Sequence, residues 1–150
     1  MLRKVLIELY ERDLGKLKDE IGQFADESDI WKTSEGITNS AGTLCLHLTG
    51  NLKHFFGAVL GGSGYIRDRD AEFTSRNIPR LEMLADIDDA LDVVRSTLAG
   101  LTEDDLDKPY PIEVYGHPMT TGYFLTSLTT HFNYHLGQIN YHRRLIAGGK

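Results

Sequence analysis

Six histidines and a single cysteine stand in a chain of 150 residues, so the chemistry open to this sequence has to be sought among its imidazoles. His131 and His135 are four residues apart. That spacing projects both rings from one face of a helix, one turn apart, as a two-toothed metal clamp requires. Leu128, Phe132, Leu136 and Ile139 run beside the pair, which turns it toward the interior of a helical assembly. His47 lies between Leu44 and Leu48 on the apolar stripe of an earlier helix. Two facing helices can thus bring three neutral imidazoles to one ion, with further positions left for water or substrate. The plainer alternative is that each histidine is a hydrogen-bonded core residue, as buried polar side chains usually are.

The other histidines compete poorly. His54 follows His47, and His142 follows His135, by seven residues, which places each on nearly the same face but about 10 Å further along the axis. Neither can share an ion with its partner on the same helix, so lining a channel or rim is the role left to them. His117, beside Pro118, reads as a turn residue. Cys45, with no second cysteine to pair with, excludes an internal disulfide and a cysteine-cluster zinc site. It also stands two residues before His47, about 200° around the helix from the ligand face, which argues against a nucleophile.

Four amphipathic segments must position these residues. Leu2, Val5, Leu6, Leu9, Leu14, Leu17, Ile21 and Phe24 mark a first helix over residues 1–25. After a polar stretch anchored by Ile30 and Trp31, a second helix starts behind Asn39 or Ser40 as cap, carries Leu44, His47, Leu48, Leu52, Phe55 and Val59, and stops at the glycines of 61–64. Residues 61–79 then form a long connection rich in Gly and alternating charge, with Phe73 as a plug. Connections of that length usually cross a bundle or line a site. A third helix begins after Pro79, shows Leu81, Leu84, Ile87, Leu91, Val94 and Leu98, and ends at Gly100 in a left-handed cap. Thr102 opens one short capped turn, residues 110–119 read as a brief extended or hairpin element around Gly116, and a fourth helix runs from Thr120 or Thr121 to Gly148 and Gly149. The fold class expected is an all-α four-helix bundle forming one domain over 1–150.

Helix two reads LCLHLTGN, with a His-Leu-x-Gly-Asn element at 47–51, and helix four reads HFNYHLGQI, with a His-x-x-x-His-x-Gly-Gln element at 131–138. Together with the apolar N-terminal helix and the YPIEVYGHPM segment, they resemble the DinB-like (YfiT-like) metalloenzyme superfamily, in particular its DUF1572 branch, over nearly the whole chain. The resemblance implies a bundle of up-down-down-up order, a long crossover between the second and third helices matching 61–79, and a divalent metal on His47, His131 and His135. It also implies a homodimer and, for some relatives, transfer of a low-molecular-weight thiol to a small electrophile. Zn²⁺ or Ni²⁺ suits three imidazoles better than oxygen-seeking Mg²⁺ or Ca²⁺. Helices two and four offer no carboxylate beside the ligands as a base. Asn51, Gln138 and His54 are the catalytic candidates that remain, and Arg67, Arg69, Arg143 and Arg144 could hold a carboxylate-bearing cosubstrate, against the plainer reading of a solvated charged face.

Composition narrows the partners. A net charge of −6 offers no basic surface for nucleic acid, and no apolar run is long enough to span a bilayer, so a cytoplasmic protein acting on a small molecule is expected. Two functions compete: a metal-dependent thiol S-transferase, and a non-catalytic metal- or ligand-binding stress-response bundle. A helical interaction module without metal is a third reading, open only if the histidines are core residues. Three ligands with an open position favour the enzyme, since structural sites are usually closed by four.

Overall fold

The computed structural model describes residues 1–148, and the chain is all-α, with no strand among the described residues. The helices are α1 (Leu2–Gln23), α2 (Ala41–Leu52), α3 (Arg69–Thr74), α4 (Arg80–Ala99), α5 (Glu103–Asp107) and α6 (Thr121–Gly148). A 3₁₀ turn over Glu27–Trp31 links α1 to α2, and α2 runs on without a break into a π-helical stretch over Lys53–Leu60. Gly149, part of the expected stop after the last helix, lies outside the described residues.

Among the long helices, α1 packs on α4 and α6, and α2 packs on the same two. Leu6, Leu17, Leu48, Phe56, Val94 and Phe132 belong to one buried apolar cluster drawn from all of them. Each such side chain contributes roughly 1.5–3 kcal/mol by leaving water. Polar ties set the rotation of α6. Buried Asp13 and Glu20 on α1 accept hydrogen bonds from Asn133 at 2.7 Å and Asn140 at 2.6 Å. His131 and His135 stand two residues to either side of Asn133, about 160° around the helix, so fixing Asn133 on α1 turns both imidazoles toward α2.

Local chemistry sets the helix starts. The Ser40 hydroxyl accepts from the Thr43 N–H at 3.1 Å at the head of α2, and Thr102 and Asp105 form a reciprocal capping box on α5. The widened turns after Leu52 have outside partners for their carbonyls: Tyr110 donates to the Phe55 carbonyl at 2.7 Å and Thr97 to that of Phe56 at 3.3 Å. The stretch ends at the glycine run: Gly61 caps it with its N–H on the Phe56 carbonyl, and Gly62 follows at positive φ.

Four expectations need correction. Leu81 is 81% exposed, while Met83, two residues on and thus on the opposite face, takes the core position with Ile87, Ala90, Val94 and Leu98. Gly100 keeps right-handed backbone angles, because its N–H tightens the last turn by bonding the Ser96 and Thr97 carbonyls. The hairpin over 110–119 reduces to a single bridge between Pro109 and Thr120 around the Gly116 turn, with no further strand to extend it. The connection at 61–79 contains α3, started by Asp68, whose carboxylate accepts from the Ala71 N–H at 3.0 Å.

Candidate metal centre

The three expected imidazoles meet. His47 on α2 is 6% exposed, and its ring centroid lies 5.1 Å from that of His131 and 5.2 Å from that of His135 on α6. The rings stand edge to face, and one ligand nitrogen from each falls within 4.8 Å of the others. The Nε2 atoms of His47 and His131 are 3.2 Å apart. For metal–nitrogen bonds of about 2.1 Å that separation subtends about 100°, between the octahedral and tetrahedral angles. At those angles the nitrogens on one ion lie about 3.0–3.4 Å apart, so the His47–His131 pair already has the spacing and the full set, within 4.8 Å, closes by side-chain rotation. The donor set therefore fits a divalent transition ion.

Partners on the far side of two rings fix which nitrogens are available. Glu72 Oε1, from α3, lies 3.1 Å from His47 Nδ1, and Gln138 Oε1 lies 2.8 Å from His135 Nδ1. Burial pushes the Glu72 carboxyl up, but hydrogen bonds from His47 and Arg67, with Arg67's charge, hold it below its ordinary range. As a carboxylate it only accepts, so this contact favours the proton on Nδ1 and a free lone pair on Nε2, against a longer approach of the donor Arg67 Nη2 to the same Nδ1 at 3.3 Å. Gln138 can accept in the same way, leaving His135 Nε2 free. His131 Nδ1 is buried without a hydrogen-bond partner, so Nε2 is the nitrogen this ring turns toward the group. Burial, then the neighbouring His135, His47 and Arg67, lower the His131 pKa to about 4. His135 is lowered as well, by burial first and then by His47, against the hydrogen bond to Gln138. Both are neutral at neutral pH, the state a ligand needs.

The remaining candidates separate. Gln138 orients His135. Asn51 is buried on α2, and among the described residues no hydrogen bond joins it or His54 to the three imidazoles. His54 stacks edge to face on Phe55 at 4.8 Å, and burial, followed by the charge of Arg67, lowers its pKa. His142 reaches the Lys32 carbonyl from Nε2 at 2.8 Å, a tie between α6 and the end of the 3₁₀ turn. His117 reaches the adjacent Pro118 carbonyl through Nδ1 at 3.2 Å, in keeping with a turn residue. Burial pushes the Cys45 thiol far up, which agrees with its exclusion as a nucleophile.

Two of the four arginines are committed to the chain itself. Arg143 binds Glu20 at 2.5 Å, and Arg67 grips Glu72 through Nε at 2.8 Å and Nη2 at 3.0 Å. Arg69 and Arg144 lie over the rings of Phe73 and Tyr141. Phe73, expected as a plug, is half-buried outside the apolar cluster, with its ring 5.0 Å from that of His47. Glu72 was not singled out from the sequence, because it lies off both ligand helices. The signals for it were Asp68 as a cap, which puts a helical turn beneath it, and Gly50, a glycine inside a buried helix. Along the α2–α6 groove from the imidazoles, a cavity of about 420 Å³ is lined by Leu44, Gln138, Ile139, Tyr141, His142 and Leu145 among others.

An all-α chain with three histidines gathered from two helices is the class of protein these elements define. Residues 4–150 match the family described as protein of unknown function (DUF1572), and the chain belongs to that family. No curated protein matches it. Among the described residues no helix is long and apolar enough to cross a membrane.

Proposed function

We propose that the chain is a metal-dependent enzyme of the DinB-like superfamily: one domain, a four-helix bundle of up-down-down-up order with 61–79 as its crossover. His47, His131 and His135 hold one divalent transition ion, Zn²⁺ or Ni²⁺, and the reaction is transfer of a low-molecular-weight thiol to a small electrophile. The observation that carries this reading is the convergence of three imidazoles, two of them with an acceptor on Nδ1, which leaves Nε2 available to an ion. When bound, a divalent ion there lowers the pKa of a thiol or water that reaches it. Glu72 and Gln138 keep the rings turned. Glu72, the carboxylate hydrogen-bonded to the group, is itself clamped by Arg67, so it is no free base for water. That favours thiol transfer over hydrolysis, since an ionised thiol needs no further base. The cavity beside Gln138 has no charged lining residue and a volume in the small-molecule range, and we assign it to an uncharged, largely apolar electrophile. Tyr134, Tyr141 and Leu145, exposed at steps of seven and four on α6, support a homodimer through that face.

Metal analysis of the purified chain beside His131→Ala, followed by conjugation assays over a panel of low-molecular-weight thiols and electrophiles, tests the reading. About one ion per wild-type chain, none in the variant, and metal-dependent conjugation are expected. A bound ion without turnover on any pair would favour the non-catalytic metal-binding bundle. Absence of an ion after metal-replete purification would remove the enzyme reading.

A further inference from the structure

Glu72 is placed with more care than a surface carboxylate requires. It is 7% exposed, and its Oε2 fills the space beside α2 that a side chain at position 50 would occupy. A Cβ on Gly50 would come within 2.0 Å of Oε2 and 2.7 Å of Cδ, so only glycine admits the carboxyl there. Glycine inside a helix costs roughly 1 kcal/mol against alanine, and this one has no positive φ to justify it. What the vacancy allows is the 3.1 Å contact of Oε1 with His47 Nδ1. Arg67 alone would satisfy the carboxylate's charge through its two-point grip, so charge balance does not explain the reach to His47.

We propose that residues 67–72 of the crossover are the outer support of the metal centre: Glu72, steered by Arg67 and admitted by Gly50, positions His47 for the ion, and the ion in turn holds the crossover against α2. This rests on the three-histidine metal reading above. A cation on Nε2 draws electron density from the ring and strengthens the Nδ1–H bond to a carboxylate, while the carboxylate makes the ring a better donor. The two effects are one coupling. Whatever factor the docked crossover adds to ion affinity, the ion adds to crossover docking. Glu72 is thus a positioning residue, and 61–79 is part of the site although it supplies no ligand.

The test combines Zn²⁺ affinity, by competition with a chromophoric chelator, with amide hydrogen exchange over 61–79, on the full chain with and without Zn²⁺. Wild type, Glu72→Gln, Gly50→Ala and the surface control Asp88→Asn are compared, with circular dichroism as the check on folding. Wild type and Asp88→Asn should bind equally and show slower exchange over 61–79 when Zn²⁺ is present. Glu72→Gln, close to isosteric, should bind 10–100-fold more weakly and lose that slowing. Gly50→Ala keeps every polar group but evicts the carboxyl, and it should match Glu72→Gln. Should it fail to fold, Glu72→Gln decides alone. If wild type binds Zn²⁺ and Glu72→Gln binds within twofold of it, with exchange over 61–79 the same with and without the ion, the support role is wrong and the metal reading stands. If wild type binds no ion, both fall.

Discussion

A divalent transition ion should raise the melting temperature of the metal-free chain by about 9 °C, and His135→Ala should abolish most of that rise. His47 and His131 are 84 residues apart in sequence, so the unfolded chain cannot bring the three nitrogens together, and the ion binds the native state selectively. With free ion at ~100 times its dissociation constant, mass action adds about 2.7 kcal/mol. Unfolding entropy of about 2.1 cal/mol/K per residue gives roughly 0.3 kcal/mol/K for a chain of this length, and the quotient is about 9 °C. Residual binding to the His131–His135 pair in an unfolded helix trims the figure. His135 is half-buried, so its truncation should leave helical content and metal-free stability nearly intact. Differential scanning calorimetry on chelated and Zn²⁺-loaded samples measures the rise. An equal rise in His135→Ala would mean that the ion binds elsewhere, and the three-histidine reasoning would be refuted.

Further outcomes are specific enough to check. The His131 pKa of about 4 lies below the ordinary imidazole value near 6.5, so between these limits the unfolded chain takes up a proton that the native chain does not. Metal-free stability should therefore fall as pH drops from about 6.5 toward about 4, with the His131 ring staying neutral down to about pH 4 in an NMR titration; titration near 6.5 would contradict this. Tyr110→Phe leaves the Phe55 carbonyl without its buried donor and should cost about 1–2 kcal/mol in urea denaturation, with no effect expected on ion stoichiometry. Met83→Ala should cost about 2–5 kcal/mol, whereas Leu81→Ala should stay within about 0.5 kcal/mol, because only the first side chain is buried.

The ligand triad was legible because each of its members sits on a strongly periodic helix. Apolar steps of three and four around His47, His131 and His135 fix which side of α2 and α6 each ring takes, and the structure brings the three together. The first turn of α4 was not legible in this way: Leu81 continues an apolar series by count, yet Met83, Ile87 and Ala90 form the stripe that faces the core. Glu72 escaped for a different reason. The crossover has no period to read, and its carboxylate is set by a tertiary vacancy at Gly50, a position whose meaning appears only when α3 is laid against α2. The rotation of α6 likewise depends on Asp13 and Glu20, which look like surface acids in sequence and are buried against Asn133 and Asn140.

Anomalous diffraction at the absorption edge of the bound ion, from crystals of the Zn²⁺- or Ni²⁺-loaded protein, tests the central claim most directly. One anomalous peak per chain is expected at about 2.1 Å from the Nε2 atoms of His47, His131 and His135, with Glu72 still on His47 Nδ1 and Gln138 on His135 Nδ1. A peak held by other residues, or no peak at full ion loading, would show that these imidazoles are packing elements and not a metal centre.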